Sequence, residues 1–389
     1  MRVEPEELLR QALRSKADEA RIDLSPTDIA HRAARSRRVA RRRALVALAA
    51  AAVVAIVVPT AVLLRPTGDE PSPAPAPSPS VGPSSTGPAI TKAPAGGAAL
   101  RQIPLGRAPG IAYLHAGTVH LAGGGTTRLP DPAAPVSDFT SYHGGWLVGT
   151  GEGRVRWYDN TGAQQSDAPG VGFFAVSEDG TRTAYAQAGA IHIGSTSGMG
   201  QGEQTVRGDA QELRPIGFLR NGDLVYQATE TTVAVTDGST IPDMTRAHAV
   251  SAAADLIAGE DANGNTIVVS ASGRVAWTSA TWAVSEFSAD GRYAAATHTG
   301  NAAGSNAFAV LDAGTGKVVA EHDDLPAQDS IGGGPVMDTD GSLLVAATSG
   351  NLQQTVLRLD RDGTLTRATP LFRLASSSDM EYIAFATRP

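Results

Sequence analysis

The chain has 389 residues, 42% of them apolar and 18% charged, which is enough hydrophobic material for one large domain or two ordinary ones. Its formal net charge of −7 is unevenly divided: residues 1–65 carry 13 Lys and Arg against 7 Asp and Glu, and residues 66–389 carry 19 against 32. Without a cysteine it forms no disulfide, Cys-ligated zinc site, thiol nucleophile or cysteine-linked lipid anchor, and the acidity of the larger part argues against nucleic acid as a partner.

Residues 1–43 read as a basic helical leader on the cytoplasmic side. Pro5 to Ala20 puts Leu8, Leu9, Ala12 and Leu13 on one helical face, with Pro5 suited to the first turn. Ser25-Pro26-Thr27-Asp28 has the form of a capping box, from which a second helix runs through the arginines. Such a basic helix is expected to lie on anionic lipid, and the sharper expectation is a docking site for a cytoplasmic regulatory partner.

Residues 44–64, ALVALAAAAVVAIVVPTAVLL, hold no charge and are interrupted only by Pro59 and Thr60. As a helix the segment is about 31 Å long, matching a hydrocarbon core of about 30 Å, so a single transmembrane helix is expected. Arg37, Arg38, Arg41, Arg42 and Arg43 flank it on one side and Arg65 on the other, and the next basic residue is Lys92. The positive-inside rule then places the N-terminus in the cytoplasm and residues 66–389 outside, with the lipid bilayer as a partner. A cleaved signal peptide competes with this reading, but a small-x-small site is approached only at Pro59 and Ala61. Ser36-Arg37-Arg38 is similar to a twin-arginine export signal, yet Ala40 stands where such signals carry a bulky apolar residue.

Residues 65–98 are a Pro/Ser/Ala-rich linker whose composition cannot form a packed core. Extended at about 3.1 Å per residue, the linker spans up to about 100 Å as a stalk.

From residue 99 onward, short apolar runs alternate with turn signals and no long 3.6-residue period appears, so residues 99–389 are expected to be all-β. A strand–turn–strand pattern recurs in FFAVSEDGTRTAYA from Phe173, IGFLRNGDLVYQA from Ile216, VSEFSADGRYAAAT from Val284 and PVMDTDGSLLVAAT from Pro335. Weaker copies start at Asp138, His248 and Arg373, and the equivalent turn positions are Gly145, Gly180, Gly222, Ala254, Gly291, Gly341 and Met380. A second hairpin follows several of them, as in VRWYDNTGA, VAVTDGST, FAVLDAGTGKVV and VLRLDRDGTL. Two hairpins per repeat of about 40 residues predict a ring of four-stranded blades, a β-propeller. The segment from Gly110 lacks an inner strand and Phe372 to Thr387 supplies one, so the two ends of the domain close the ring; seven blades fit best, with six or eight as alternatives.

The Ser-x-Asp-Gly turns followed by apolar strands resemble WD-type and TolB-like propeller repeats. LDAGTGKVV from Leu311 is similar to the turn of pyrroloquinoline-quinone-type and surface-layer propellers. With its leader and stalk the whole chain resembles single-pass exported propeller proteins of actinobacteria. The resemblance implies a membrane-anchored extracytoplasmic propeller. The Trp-Asp dipeptide of true WD repeats is absent, Trp277 being followed by Thr278.

No catalytic, cofactor or metal set stands out. None of the eight histidines pairs with another at metal-ligand spacing on a helix; His115 and His120 flank the turn Ala116-Gly117 and read as strand residues. Asp338-Thr339-Asp340-Gly341 and Asp360-Arg361-Asp362-Gly363 hint at calcium loops but lack the bidentate Glu, so hairpin turns are expected there. Gly332-Gly333-Gly334 opens a blade, not a phosphate-binding helix. A propeller glycosidase would need paired carboxylates, for which Asp138, Glu178 and Glu286 are the candidates. Two functions follow. The first is a membrane-tethered binding, sensing or scaffolding module for an extracytoplasmic protein or glycan, its leader acting in an anti-sigma-like way. The second is an exported hydrolase or lyase with its site in the funnel.

Overall fold

Strands that are apolar at every position must bury both faces. Ala294-Ala295-Ala296 and Phe308 to Leu311 are runs of this kind, and every one of these residues is buried. The computed structural model describes residues 99–130, 136–195, 204–207, 213–299, 307–323, 325, 329–349, 352–374 and 383–386, which fall within one compact unit. The leader, the apolar segment and the linker, with Arg37, Arg38, Arg41, Arg42, Arg43 and Arg65, lie outside the described residues. Among the described residues no helix is long and apolar enough to cross a membrane.

Seven antiparallel sheets follow one another along the chain. Blade 1 contains β1 (Tyr113–His115), β2 (Thr118–His120) and β3 (Thr126–Arg128), and blade 2 contains β4 (Val136–Tyr142), β5 (Gly145–Thr150), β6 (Arg154–Tyr158) and β7 (Gln164–Pro169). Blade 3 is built from β8 (Val171–Val176), β9 (Arg182–Gln187), β10 (Ala190–Ser195) and β11 (Gln204–Arg207). Blade 4 is β12 (Arg214–Phe218), β13 (Leu224–Thr229) and β14 (Thr232–Val235). Blade 5 runs through β15 (Arg246–Ser251), β16 (Leu256–Glu260), β17 (Thr266–Ser270) and β18 (Val275–Ser279). Blade 6 runs through β19 (Trp282–Phe287), β20 (Tyr293–His298), β21 (Phe308–Asp312) and β22 (Val318–His322). Blade 7 comprises β23 (Asp329–Met337), β24 (Leu343–Ser349), β25 (Gln353–Leu359) and β26 (Leu365–Arg367), with β27 (Phe372–Arg373) also paired to β25.

The core is seven seams, each filled from two neighbouring blades. Period-two alternation sends Ala294, Ala296, Ala309 and Leu311 into the seam with blade 5. Their neighbours Ala295, Phe308 and Val310 enter the seam with blade 7. The seventh seam joins blade 7, through Leu344, Ala346 and Val356, to Tyr113 of blade 1. The ring therefore closes at seven, not six or eight.

Closure uses β28 (Ala384–Phe385), which pairs with Tyr113 and Leu114 as the inner strand of blade 1. A strap reinforces it. Leu105 bridges Arg367 in parallel, and Arg367 N donates to Pro104 O at 2.8 Å. Next to the strap, the fully buried Arg358 side chain bonds Asp338, Ser342 and Ala108 O, while Gly110 N donates to Asp338 Oδ2 at 3.0 Å.

Three expectations are corrected. Gly145 opens β5, and its turn is His143-Gly144, both at positive φ (48° and 71°), a two-residue hairpin whose twist matches the strands it joins. Blade 4 has three strands and only an isolated bridge, Ala234 to Thr240, where a fourth was expected, because Pro242 has no N–H for a ladder. Phe372 and Arg373 pair with β25 of blade 7, so among the described residues of the last segment the strand paired to blade 1 is Ala384–Phe385. The two calcium-like segments are hairpin turns, with Gly341 N donating to Asp338 O at 3.1 Å and Gly363 N to Asp360 O at 3.0 Å.

Candidate functional site: the central channel

Each of the six long inner strands outruns its partner, by one residue in five of them and by two in β23. The register shifts fall between Val136 and Asp138 in β4, Val171 and Phe174 in β8, and Pro215 and Gly217 in β12. They recur between Ala247 and Ala249 in β15, Val284 and Glu286 in β19, and Gly332 and Val336 in β23. A bulge bends its strand and re-aims the side chains beside it. Here the bulges line up around the axis, and Ser137, Phe173, Ile216, His248, Ser285 and Pro335 all line one central channel of about 640 Å³. That volume is within the usual range of small-ligand sites, about 300–1,000 Å³.

Local sequence explains the alignment. The residue following the register shift is Phe139, Phe218 or Phe287 in blades 2, 4 and 6, and each packs into the seam with the preceding blade; in blade 3 Phe174, one place earlier, does the same. That anchor fixes the strand, leaving the bulge residues to face the axis or the following blade.

The channel collects charge from five blades. Asp138, Glu178, Arg214, His248 and Glu286 all line it, so the three carboxylates picked from sequence do share one space. They come from three different blades. Asp138 adjoins its bulge, whereas Glu178 lies beyond the end of β8, in the turn that follows it. Glu286 occupies the position equivalent to Asp138 but three blades round the ring, and its Oε2 accepts a hydrogen bond from Met337 N at 3.0 Å. Its neighbour Ser285 donates to Pro335 O at 2.5 Å, so this corner ties blade 6 to blade 7.

Asp138, half-buried, has its carboxyl pushed up by burial, with Arg214 and Ser137 pulling it back. The Arg214 guanidinium lies over the ring of Phe173, 4.6 Å from its centroid. Phe173 is itself 39% exposed, an aromatic ring open to the channel. His248 Nε2 is 3.1 Å from Glu260 Oε1, and this contact, more than Arg246, holds the Glu260 carboxyl low. Sequence reasoning missed Phe173, Arg214 and His248. The recurrent Phe one or two places after a polar or small residue was the usable signal, since it aligns the inner strands to one residue.

His115 and His120 are strand residues outside the channel. His115 stacks on Phe372 at 4.2 Å and His120 on Tyr113 at 4.5 Å, and burial lowers both pKa values, with His120 adding to the effect on His115. Among the described residues no group of three or more His, Cys, Asp or Glu is placed to hold a metal ion.

No protein-family model matches this chain, and no curated protein matches it. Solved structures do. The β-propeller domain of Cps50 (Swd1) from Myceliophteria thermophila is 11% identical, covering 68% of this chain and 90% of its own, with a TM-score of 0.49. Hsv2 of Kluyveromyces lactis is 15% identical over 62% of this chain and 83% of its own, with a TM-score of 0.44. The WD40 repeats of RRP9 are 11% identical over 63% and 83%, with a TM-score of 0.47. Likenesses this loose carry no argument about function; the seven sheets and their closure establish the propeller by themselves.

Proposed function

We propose that this protein is a binding module that recognises an extracytoplasmic protein or glycan component at its propeller channel. In this reading residues 44–64 tether the propeller to the cell membrane, and residues 65–98 hold it away from the bilayer. Residues 1–43 then face the cytoplasm, where the basic leader meets anionic lipid and acts on a cytoplasmic regulatory partner in an anti-sigma-like way. The observation that carries the reading is the channel wall itself. Six bulged strands turn an aromatic ring, an arginine and a histidine toward one small space, and one of its three carboxylates, Glu286, is held by Met337 N. Fold alone does not separate binder from enzyme; the site does.

In-cell photo-cross-linking from position 216 in the channel tests the reading, and capture of a defined extracytoplasmic component supports it. Turnover of a cell-wall glycan by the full chain, abolished by Asp138→Asn, would overturn it in favour of a hydrolase or lyase. For topology, protease added to intact cells is expected to remove the propeller and spare the leader, and a protected propeller refutes the orientation.

A further inference from the structure

Arg214 and Asp138 come from blades 4 and 2 and face the same channel, with Phe173 of blade 3 between them in the ring. They influence each other's charge, yet among the described residues no ion pair of 4.0 Å or less joins them. The guanidinium lies over Phe173, and its five N–H donors remain its means of binding a carboxylate. The channel wall mixes apolar residues, among them Val136, Ile216 and Pro335, with hydroxyl groups such as Ser137 and Ser285.

Charge narrows the ligand. The channel holds three carboxylates against one arginine and one histidine, so a simple anion would be repelled and a simple cation would leave Arg214 without a partner. A ligand with both charges a few ångströms apart meets neither objection. Resting on the channel as the ligand site, we propose that it takes a zwitterionic α-amino acid or short peptide with free ends, its carboxylate on Arg214, its ammonium on Asp138 and an apolar side chain against Phe173 and Ile216. A guanidinium and a carboxylate form a forked pair, and the ammonium supplies three donors to Asp138. A sugar is disfavoured because one face of Phe173, on which a pyranose ring would stack, is covered by Arg214.

The probe is the dipeptide L-alanyl-L-phenylalanine, titrated calorimetrically into the full chain in detergent. Blocking its amine by acetylation, or its carboxylate by amidation, is expected to weaken binding about tenfold or more each, as expected for losing a charged hydrogen bond. Arg214→Gln should erase the difference between acid and amide while keeping that between free and acetylated amine, and Asp138→Asn should do the reverse. Equal binding of free and blocked dipeptides overturns the proposal while leaving the channel reading intact. So does tighter binding of an oligouronate, competed by the dipeptide. Failure of the dipeptide to bind at all overturns the proposal as well, whereas the channel reading falls only if the in-cell cross-linker at position 216 captures nothing. The wild-type arm with blocked probes decides the matter even if a variant fails to fold.

Discussion

The seam between blades 5 and 6 and the seam between blades 7 and 1 have the same task and opposite chemistry. The first is apolar throughout: Trp277, Trp282, Phe287 and a set of small alanines from β20 and β21 fill it, and Trp277 Nε1 donates to Ala313 O at 2.8 Å. The second has a shorter apolar list and adds to it a two-residue strand, a strap and a buried guanidinium. Sequence distance accounts for the difference. Blades 5 and 6 are consecutive, whereas the closing contacts join residues 228 and 250 positions apart, so loop-closure entropy is larger there. Directional groups also fix which strand closes the ring, which apolar contact alone does not specify.

Removing the guanidinium is the sharpest way to break the comparison. Arg358→Ala leaves the fully buried Asp338 with its charge unpaired, and a loss of about 3–5 kcal/mol in unfolding free energy is expected by urea titration. Arg358→Lys should recover less than half, because a single ammonium cannot reach Asp338, Ser342 and Ala108 O together. A loss under about 1 kcal/mol for Arg358→Ala would mean that the apolar contacts and β28 close the ring without the network.

At the apolar seam the expected effects are smaller. Gly316 has φ 70°, and a Cβ there would lie 2.6 Å from the Trp277 ring. Gly316→Ala is therefore strained twice over and should cost about 1–3 kcal/mol in the same titration. Trp277→Phe keeps most of the packing but leaves the Ala313 carbonyl without its donor, a loss of about 1–2 kcal/mol. If Trp277→Phe proves the more damaging of the two, packing area governs this seam and not backbone strain.

These two seams also mark what was legible in the sequence. The apolar strands of blades 5 to 7 and the Ser-x-Asp-Gly turns of blades 3 and 6 announced themselves: Ser177 and Ser288 both bond the Asp two places on, at 2.6 Å each, as the shared pattern requires. The closing strand was visible as a surplus at one end and a deficit at the other. The strap and the Arg358 network were not, because Arg358 looks like any arginine on an alternating strand until Asp338 and Ala108 are brought to it from far along the chain. The channel was half legible. Asp138, Glu178 and Glu286 do line the channel, but the bulges beside them depend on pairing register, and one or two extra residues in a strand have no local signature. Pro242 was a readable warning against a fourth strand in blade 4 that the repeat pattern overrode.

The smallest expected effect is a pH dependence carried by the closing seam alone. His115 and His120 face Tyr113, Thr118 and Phe372 there, and burial disfavours their charged forms in the folded protein. Their folded pKa values are lowered below the ordinary 6.5, so in the window beneath 6.5 the unfolded chain binds more protons than the folded one. Stability is thus complete above about pH 6.5 and declines as the pH falls through that value toward the folded pKa values. The turn carboxylates act lower. Asp179, drawn down to about 2 chiefly by the Ser177 hydroxyl, loses its contribution only below its ordinary 3.8. Thermal unfolding at pH 7.5 and 5.5 should show a lower midpoint at 5.5, and His115→Gln should remove the larger part of that difference, because His115 alone feels both burial and a second imidazole. A wild-type midpoint that is flat between the two pH values would show that the closing seam opens to water around these rings. In that case the Arg358 network and β28, and not the aromatic stack, hold blade 1 to blade 7.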